Sequence, residues 1–240
     1  MMSQIRRDGD QGSTVVLTYG DSITDGFGAT DMKKLGYTNL LKEGLKLVHP
    51  SFDLIRNSAG YRCINRDCQR PCRNDSYCQE AHTHNVSAVT MFIGTNDCKA
   101  INWNEENFKR DYLELCQSFR NMSSHPDVFV IVPPPVYKDG FNAVNTTLAN
   151  KVIPKLIPPI AKQCGLEDSQ IINLFEVMGG EQLSKPFYYC SINHCDGYHP
   201  IDEGQDIMAQ TILEHILDFY SNNPKGRQAE ATAAKAPHTP

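Results

Sequence analysis

Short apolar runs alternate along this chain with longer stretches whose apolar residues recur three and four positions apart. Val15–Tyr19 is apolar and β-branched, with polar residues before it and Gly20 after it, and reads as a buried strand. Phe52–Ile55, Ala88–Ile93, Val128–Val132 and Ile171–Phe175 read the same way; Gly94 closes the third run, and Pro133, Pro134 and Pro135 stop the fourth. Between them, Gly36–His49 carries Leu40, Leu41, Leu45 and Val48 at helical spacing, and Pro50 ends it. Asn104–Met122 places Phe108, Tyr112, Leu115, Cys116 and Phe119 on one helical face. Residues 146–163 have a helical pattern that Pro154, Pro158 and Pro159 are expected to kink or interrupt. Asp202 is expected to cap a last helix carrying Ile207, Met208, Ile212, Ile216 and Leu217.

Strands that alternate with helices, several of them continuous apolar runs, predict a parallel sheet covered on both faces. With right-handed crossovers the expected fold is a three-layer α/β/α sandwich around a five-stranded parallel sheet, flavodoxin-like in plan. A length of 240 residues suits one domain. That domain is expected over residues 13–221, with Tyr61–Asn85 a polar, Cys-rich insertion and residues 222–240 a disordered tail.

Ligands of such sheets bind beyond the carboxyl ends of the strands. Four polar segments are expected there: Gly20-Asp21-Ser22, Asn57-Ser58-Ala59-Gly60, Gly94-Thr95-Asn96-Asp97 and, from further along, Asp196-Gly197-Tyr198-His199-Pro200. Together they hold what acyl transfer by serine requires: a hydroxyl, a base, and donors for an oxyanion. Ser22 is the candidate nucleophile and His199 the candidate base. Asp196, three residues before His199, can reach the other imidazole nitrogen and fix its tautomer. His194 is the rival base, but no carboxylate lies three residues before it. The backbone N–H groups of Ser22 and Gly60 and the side-chain amide of Asn96 are the candidate oxyanion donors. The chemistry calls for neither a cofactor nor a metal.

These blocks resemble the four sequence blocks of the SGNH (GDSL-like) hydrolases, in the family's order of Ser, Gly, Asn and His. The resemblance runs from about Val15 to Tyr220. It implies that Ser22 is the nucleophile, His199 the base and Asp196 its orienting partner, with Ser22, Gly60 and Asn96 forming the oxyanion hole. A narrower resemblance joins Gly94-Thr95-Asn96-Asp97-Cys98-Lys99, Asn102-Trp103 and Pro133-Pro134-Pro135-Val136-Tyr137-Lys138-Asp139-Gly140 to bacterial carbohydrate acetylesterases of this family. It implies deacetylation of sugars, sialic acid and plant-wall polysaccharides among them. The chain departs from that branch at Cys98 and across Tyr61–Asn85. Two other readings stand beside it: a lipid or thioester hydrolase, and a non-catalytic carbohydrate-binding protein on the same scaffold.

Charge narrows the partners. The balance is 23 Lys+Arg against 28 Asp+Glu, a formal −5, with no basic stripe, so nucleic acid is not an expected partner. A small-molecule or carbohydrate ester is. No apolar run approaches the roughly 20 residues that cross a bilayer. The nine cysteines and the sequons at Asn74, Asn85, Asn121 and Asn145 favour a secreted or extracellular protein, although Met1–Val16 contains no signal-peptide core. For Cys63, Cys68, Cys72 and Cys78 disulfides are favoured, free thiols come next, and a zinc site with His82 and His84 comes last, because the spacings do not form paired C-x₂-C knuckles. Their connectivity is open. A bridge between Cys190 and Cys195 would brace the loop that carries Asp196 and His199.

Overall fold

The first apolar run forms the central strand β1 (Thr14–Gly20) of the structure, a computed structural model that describes residues 14–138, 143–189 and 196–222. On one side β1 pairs with β2 (Phe52–Ser58), from Thr14 opposite Phe52 to Gly20 opposite Ser58. On its other side lies β3 (Ala88–Phe92), from Val16 opposite Ala88 to Gly20 opposite Phe92. β4 (Asp127–Val132) and β5 (Ile171–Asn173) extend the sheet. The order is β2-β1-β3-β4-β5, every pair parallel, as the alternation of apolar runs and helices predicts.

Eight α-helices cover the sheet among the described residues: α1 (Ser22–Asp25), α2 (Met32–Leu35), α3 (Tyr37–Val48), α4 (Ser76–Ala81), α5 (Glu105–Arg120), α6 (Ile153–Gln163), α7 (Leu174–Val177) and α8 (Asp202–Asn222). Successive strand residues go to opposite layers. Leu17, Tyr19, Val89, Met91, Val128, Val130 and Val132 pack with Phe108, Tyr112 and Phe119 of α5 and Ile157 and Ile160 of α6. Val16, Phe129, Ile131 and Ile172 pack with Leu41 and Leu45 of α3 and Met208, Ile212 and Ile216 of α8. That two-sided burial is why the inner strands β1, β3 and β4 are apolar at most positions, whereas the edge strand β2 alternates with polar residues.

The ends of the elements follow local chemistry. Asn104 caps α5 by accepting from Asn107 N, and Glu105 and Glu106 suit its positive first turn. Three expectations need correction. β5 ends at Asn173, not Phe175, because the Asn173 side chain accepts from Glu176 N and starts α7. Asp202 does not spend its carboxylate on its own helix; it accepts from Thr30 N and Thr30 Oγ1 at 2.8 and 2.7 Å. The irregularity in 146–163 falls before α6, as a π turn over Leu148–Val152, while Pro158 and Pro159 lie inside the helix and Pro154 sits in its first turn.

The Tyr61–Asn85 segment is more deeply integrated than its polarity suggests. Arg62, Cys63, Ile64, Asn65, Cys72, Cys78 and Ala81 are all buried, and Ile64, Cys72, Cys78 and Ala81 join the core on the α5 side. Of its four cysteines, Cys63 and Cys68 are bonded, whereas Cys72 and Cys78 are thiols. The expected Cys190–Cys195 bridge and the tail from residue 223 lie outside the described residues.

A second disulfide, Cys116–Cys164, is not foreseen in the sequence. It joins α5 to the end of α6 across 48 residues. Closing a loop of that length removes unfolded-chain entropy equivalent to about 4 kcal/mol. Replacing both cysteines by serine should therefore lower the unfolding free energy by about 2–4 kcal/mol in urea. A midpoint unchanged from the oxidised wild type would show that the bond does not form in solution.

Candidate active site

β1 delivers Ser22 to the carboxyl edge of the sheet. Gly20 is required at the bend, since a Cβ there would lie 2.0 Å from Thr24 Oγ1 and 2.7 Å from the Phe92 carbonyl. Asp21 then caps α1 by accepting from Ile23 N at 3.0 Å, and Ser22 is the first residue of that helix. The Ser22 Oγ lies 2.9 Å from His199 Nε2, although the two are 177 residues apart.

His199 reaches this position through a tight turn ahead of α8. Asp196 Oδ1 accepts from Tyr198 N and His199 N, each at 2.7 Å, and Gly197 between them has a φ of 67°. The other carboxylate oxygen, Oδ2, lies 2.7 Å from His199 Nδ1. A carboxylate only accepts, so Nδ1 carries the hydrogen and Nε2 is left to accept from the Ser22 hydroxyl. Burial works to raise the Asp196 carboxyl, but the bonds from the His199 ring and from the two backbone N–H groups outweigh it and hold the group below the usual carboxylate range.

Two residues brace that turn from behind. Gln205 of α8 is fully buried; its amide donates to the carbonyls of Pro200 and Phe27 at 3.0 Å and its oxygen accepts from Tyr37 N. Gly28, at φ 94°, lets the chain pass so close that a Cβ would sit 2.3 Å from the Pro200 carbonyl and 3.0 Å from His199 Cβ. Between them Phe27 stands half exposed, its ring centroid 5.6 Å from that of His199.

Two of the candidate oxyanion donors are tied to the turn that carries Ser22: Ala59 N, just before Gly60, donates to the Gly20 carbonyl at 3.2 Å, and the Asn96 amide donates to Asp21. The Ser22 and Gly60 N–H groups donate to no acceptor among the described residues. A Cβ on Gly60 would meet nothing within 4 Å, so the open side of this residue is space rather than protein. Gly60→Ala should therefore fold normally, with a melting temperature within about 2 °C of wild type. Its kcat/KM should fall about tenfold or more if a bound ester occupies that space, about the 1.4 kcal/mol one crowded methyl can cost. Unchanged kinetics would take Gly60 out of the site. The Asn96 amide is already engaged: its nitrogen donates to Asp21 Oδ2 and to the Arg62 carbonyl, both at 3.2 Å, and its oxygen accepts from the Tyr198 hydroxyl. Serving an oxyanion would mean sharing or exchanging one of those two bonds.

Behind these donors lies a buried ionic frame that the sequence patterns did not reveal. Arg62 is fully buried. Its Nη1 donates to the Gly20 carbonyl at 3.0 Å and to the Asn57 carbonyl and side-chain oxygen at 3.2 and 3.0 Å. Its Nη2 lies 3.4 Å from Asp75 Oδ2, and its guanidinium covers the Tyr19 ring at 4.7 Å. One side chain thus ties the ends of β1 and β2 to the insertion. Asp97 does similar work through its oxygens, accepting from Ile64 N and Asn65 N at 2.9–3.1 Å.

Burial pushes the Asp97 carboxyl up to about 7 and that of Asp21 up to about 6. Between their ordinary value of 3.8 and these values the folded chain holds protons that the unfolded chain has released. Their contribution to stability therefore falls as pH rises from about 4 to about 7. Asp97→Asn cannot ionise, so its urea midpoint should decline less than that of wild type between about pH 4 and 7. Parallel profiles for the two proteins would contradict this account.

No group of three or more His, Cys, Asp or Glu among the described residues could hold a metal ion. His82, near the insertion cysteines, instead stacks on Phe119 and lies 2.8 Å from Ser118 Oγ. His194 lies outside the described residues.

The sequence profile of the GDSL-like Lipase/Acylhydrolase family matches residues 18–207, and the chain belongs to this family. It is 25% identical to an acetylxylan esterase of Xylanibacter ruminicola, an alignment that covers 84% of this chain and 42% of that protein. The chain therefore spans less than half the length of this relative. Its fold is similar to that of Est24, a carbohydrate acetylesterase from Sinorhizobium meliloti, with 16% identity, a TM-score of 0.65, and coverage of 86% of this chain and 100% of that one. It is equally similar to an aryl esterase of M. smegmatis, at 17% identity and a TM-score of 0.65, covering 86% of this chain and 99% of that one.

Proposed function

We propose that this chain is a serine esterase that removes O-acetyl groups from carbohydrates. The observation that carries the proposal is the continuous chain Ser22 Oγ, His199 Nε2, His199 Nδ1 and Asp196 Oδ2, with contacts of 2.9 and 2.7 Å. In this reading Ser22 attacks the acyl carbon while His199 Nε2 takes its proton. The carbonyl oxygen becomes an oxyanion held by the Ser22 and Gly60 N–H groups and the Asn96 amide. The intermediate then collapses: the bond to the alcohol breaks, His199 returns the proton to the leaving oxygen, and an acyl-Ser22 remains. Water repeats the sequence and regenerates Ser22. Asp196 keeps the ring in the required tautomer throughout and stabilises the transient imidazolium.

The likeness to an acetylxylan esterase and a carbohydrate acetylesterase supports acetyl as the acyl group and a sugar as its carrier. A fluorophosphonate probe should label the protein at Ser22, and acetate should be released from acetylated xylan. Efficient turnover of p-nitrophenyl octanoate with little of the acetate would favour a lipid or thioester hydrolase instead. Failure of the probe to label native protein would leave the non-catalytic, carbohydrate-binding reading.

A further inference from the structure

Beside the candidate oxyanion residues lies a cation that the proposed mechanism does not use. Lys99 ends the short Thr95–Cys98 turn that carries Asn96, and it is only 3% exposed. Burying an ammonium is unfavourable unless a charge or donor partner compensates it. Among the described residues no carboxylate lies within ion-pair distance of Lys99. Its contact is with an aromatic face: Nζ lies 4.7 Å from the ring centroid of Tyr61, which offsets only part of the cost of burial.

The placement of that ring matters. Tyr61 directly follows Gly60, the open residue at the candidate oxyanion hole, and is 58% exposed. The nearby Arg70 is already engaged: its Nη1 donates to the Gly60 carbonyl at 2.7 Å and its Nη2 lies 3.6 Å from Asp75 Oδ2. Burial pushes the Lys99 ammonium down, and the charge that counters this is Asp21, the neighbour of Ser22. Lys99 is thus within electrostatic reach of the nucleophile's own turn. The chain as a whole carries −5, a field that would hold off an acidic ligand, so a cation without a carboxylate partner at this place runs against the general charge.

We propose that Lys99, held against the Tyr61 ring beside Gly60, is a subsite for a carboxylate on the sugar that carries the ester. The preferred substrates are then O-acylated acidic carbohydrates of the uronate type, with the sugar ring lying against Tyr61. This deepens the carbohydrate-esterase reading and rests on it.

The test is equilibrium binding to Ser22→Ala protein, which removes turnover from the measurement. The probes are the methyl glycoside of an O-acetylated glucuronic acid, with its carboxylate free, and the methyl ester of the same compound. The free acid should bind about five- to tenfold more tightly than its ester at low salt. Lys99→Met in the same background should bring the two affinities together, and Lys99→Arg should retain the preference. Tyr61→Ala, an exposed change that spares the core, should weaken both ligands. Equal affinities for acid and ester, or a preference that survives Lys99→Met, would overturn the subsite. If the wild-type chain releases no acetate from any ester, the esterase reading fails, while the acid-to-ester ratio still decides the subsite.

Discussion

Ser22→Ala should lower kcat for p-nitrophenyl acetate by about 10⁴–10⁶-fold, with the folded structure intact. The reason lies in the separation of roles at the site. In the proposed mechanism, removing Oγ deletes the atom that forms the acyl bond and that lies 2.9 Å from His199 Nε2. The candidate oxyanion donors survive the change, so a residual rate above that in water is expected. His199→Ala should cost a comparable factor, and the double variant little more, because the two side chains act as one unit. Steady-state rates with active-site titration measure this directly. A kcat within tenfold of wild type would remove Ser22 from the chemistry.

Arg62→Met should be the most damaging substitution that touches no substrate. It strips the Gly20 and Asn57 carbonyls of the guanidinium from which they accept and removes the buried one of the two arginines beside Asp75, leaving Arg70 at 3.6 Å. Breaking a buried charge pair from one side costs about 3–5 kcal/mol, a large part of the stability of a domain this size. Arg62→Lys keeps the charge but replaces a planar fork with a single donor group. It should fold with a smaller loss and show a fall in kcat larger than any rise in KM, because the Arg62 carbonyl also holds the Asn96 amide. Urea titration and steady-state kinetics on the lysine variant separate the two effects. A variant that is less stable but has unchanged kcat would confine Arg62 to holding the fold.

The parts of the site legible in the sequence are those whose meaning is local. Asp196 and His199 are three residues apart, and a turn with glycine between them brings the carboxylate to the ring. Ser22 follows an apolar run that can only be a strand in this alternation. The sheet was legible for the same reason, since each of its strands is a short run with its own stop signal. The supporting residues were not legible, because their partners are remote. Gln205 holds carbonyls at positions 27 and 200 and the N–H of Tyr37, and Arg62 reaches back to Gly20. No spacing rule links such positions. Cys116 and Cys164 meet only because α5 and α6 pack side by side with those faces turned together. Asp202 carried a sound helix-start signal, but tertiary structure offered its carboxylate a better donor set on Thr30.

The segment from Tyr61 to Asn85 looks in the sequence like an ornament on a common scaffold. Its guanidinium at position 62 and the N–H groups at 64 and 65 are fastened to strand ends and to Asp97 instead. Such a segment cannot be exchanged between relatives as a cassette. A chimera that imports another member's loop must also import replacements for Arg62 and for the acceptor side chain at 97, or the graft will disturb the Gly20–Ser22 turn that it was meant to leave in place. Divergence of specificity in this lineage would then proceed through the exposed positions of the insertion, Tyr61 and Arg70 among them, while its buried half stays fixed.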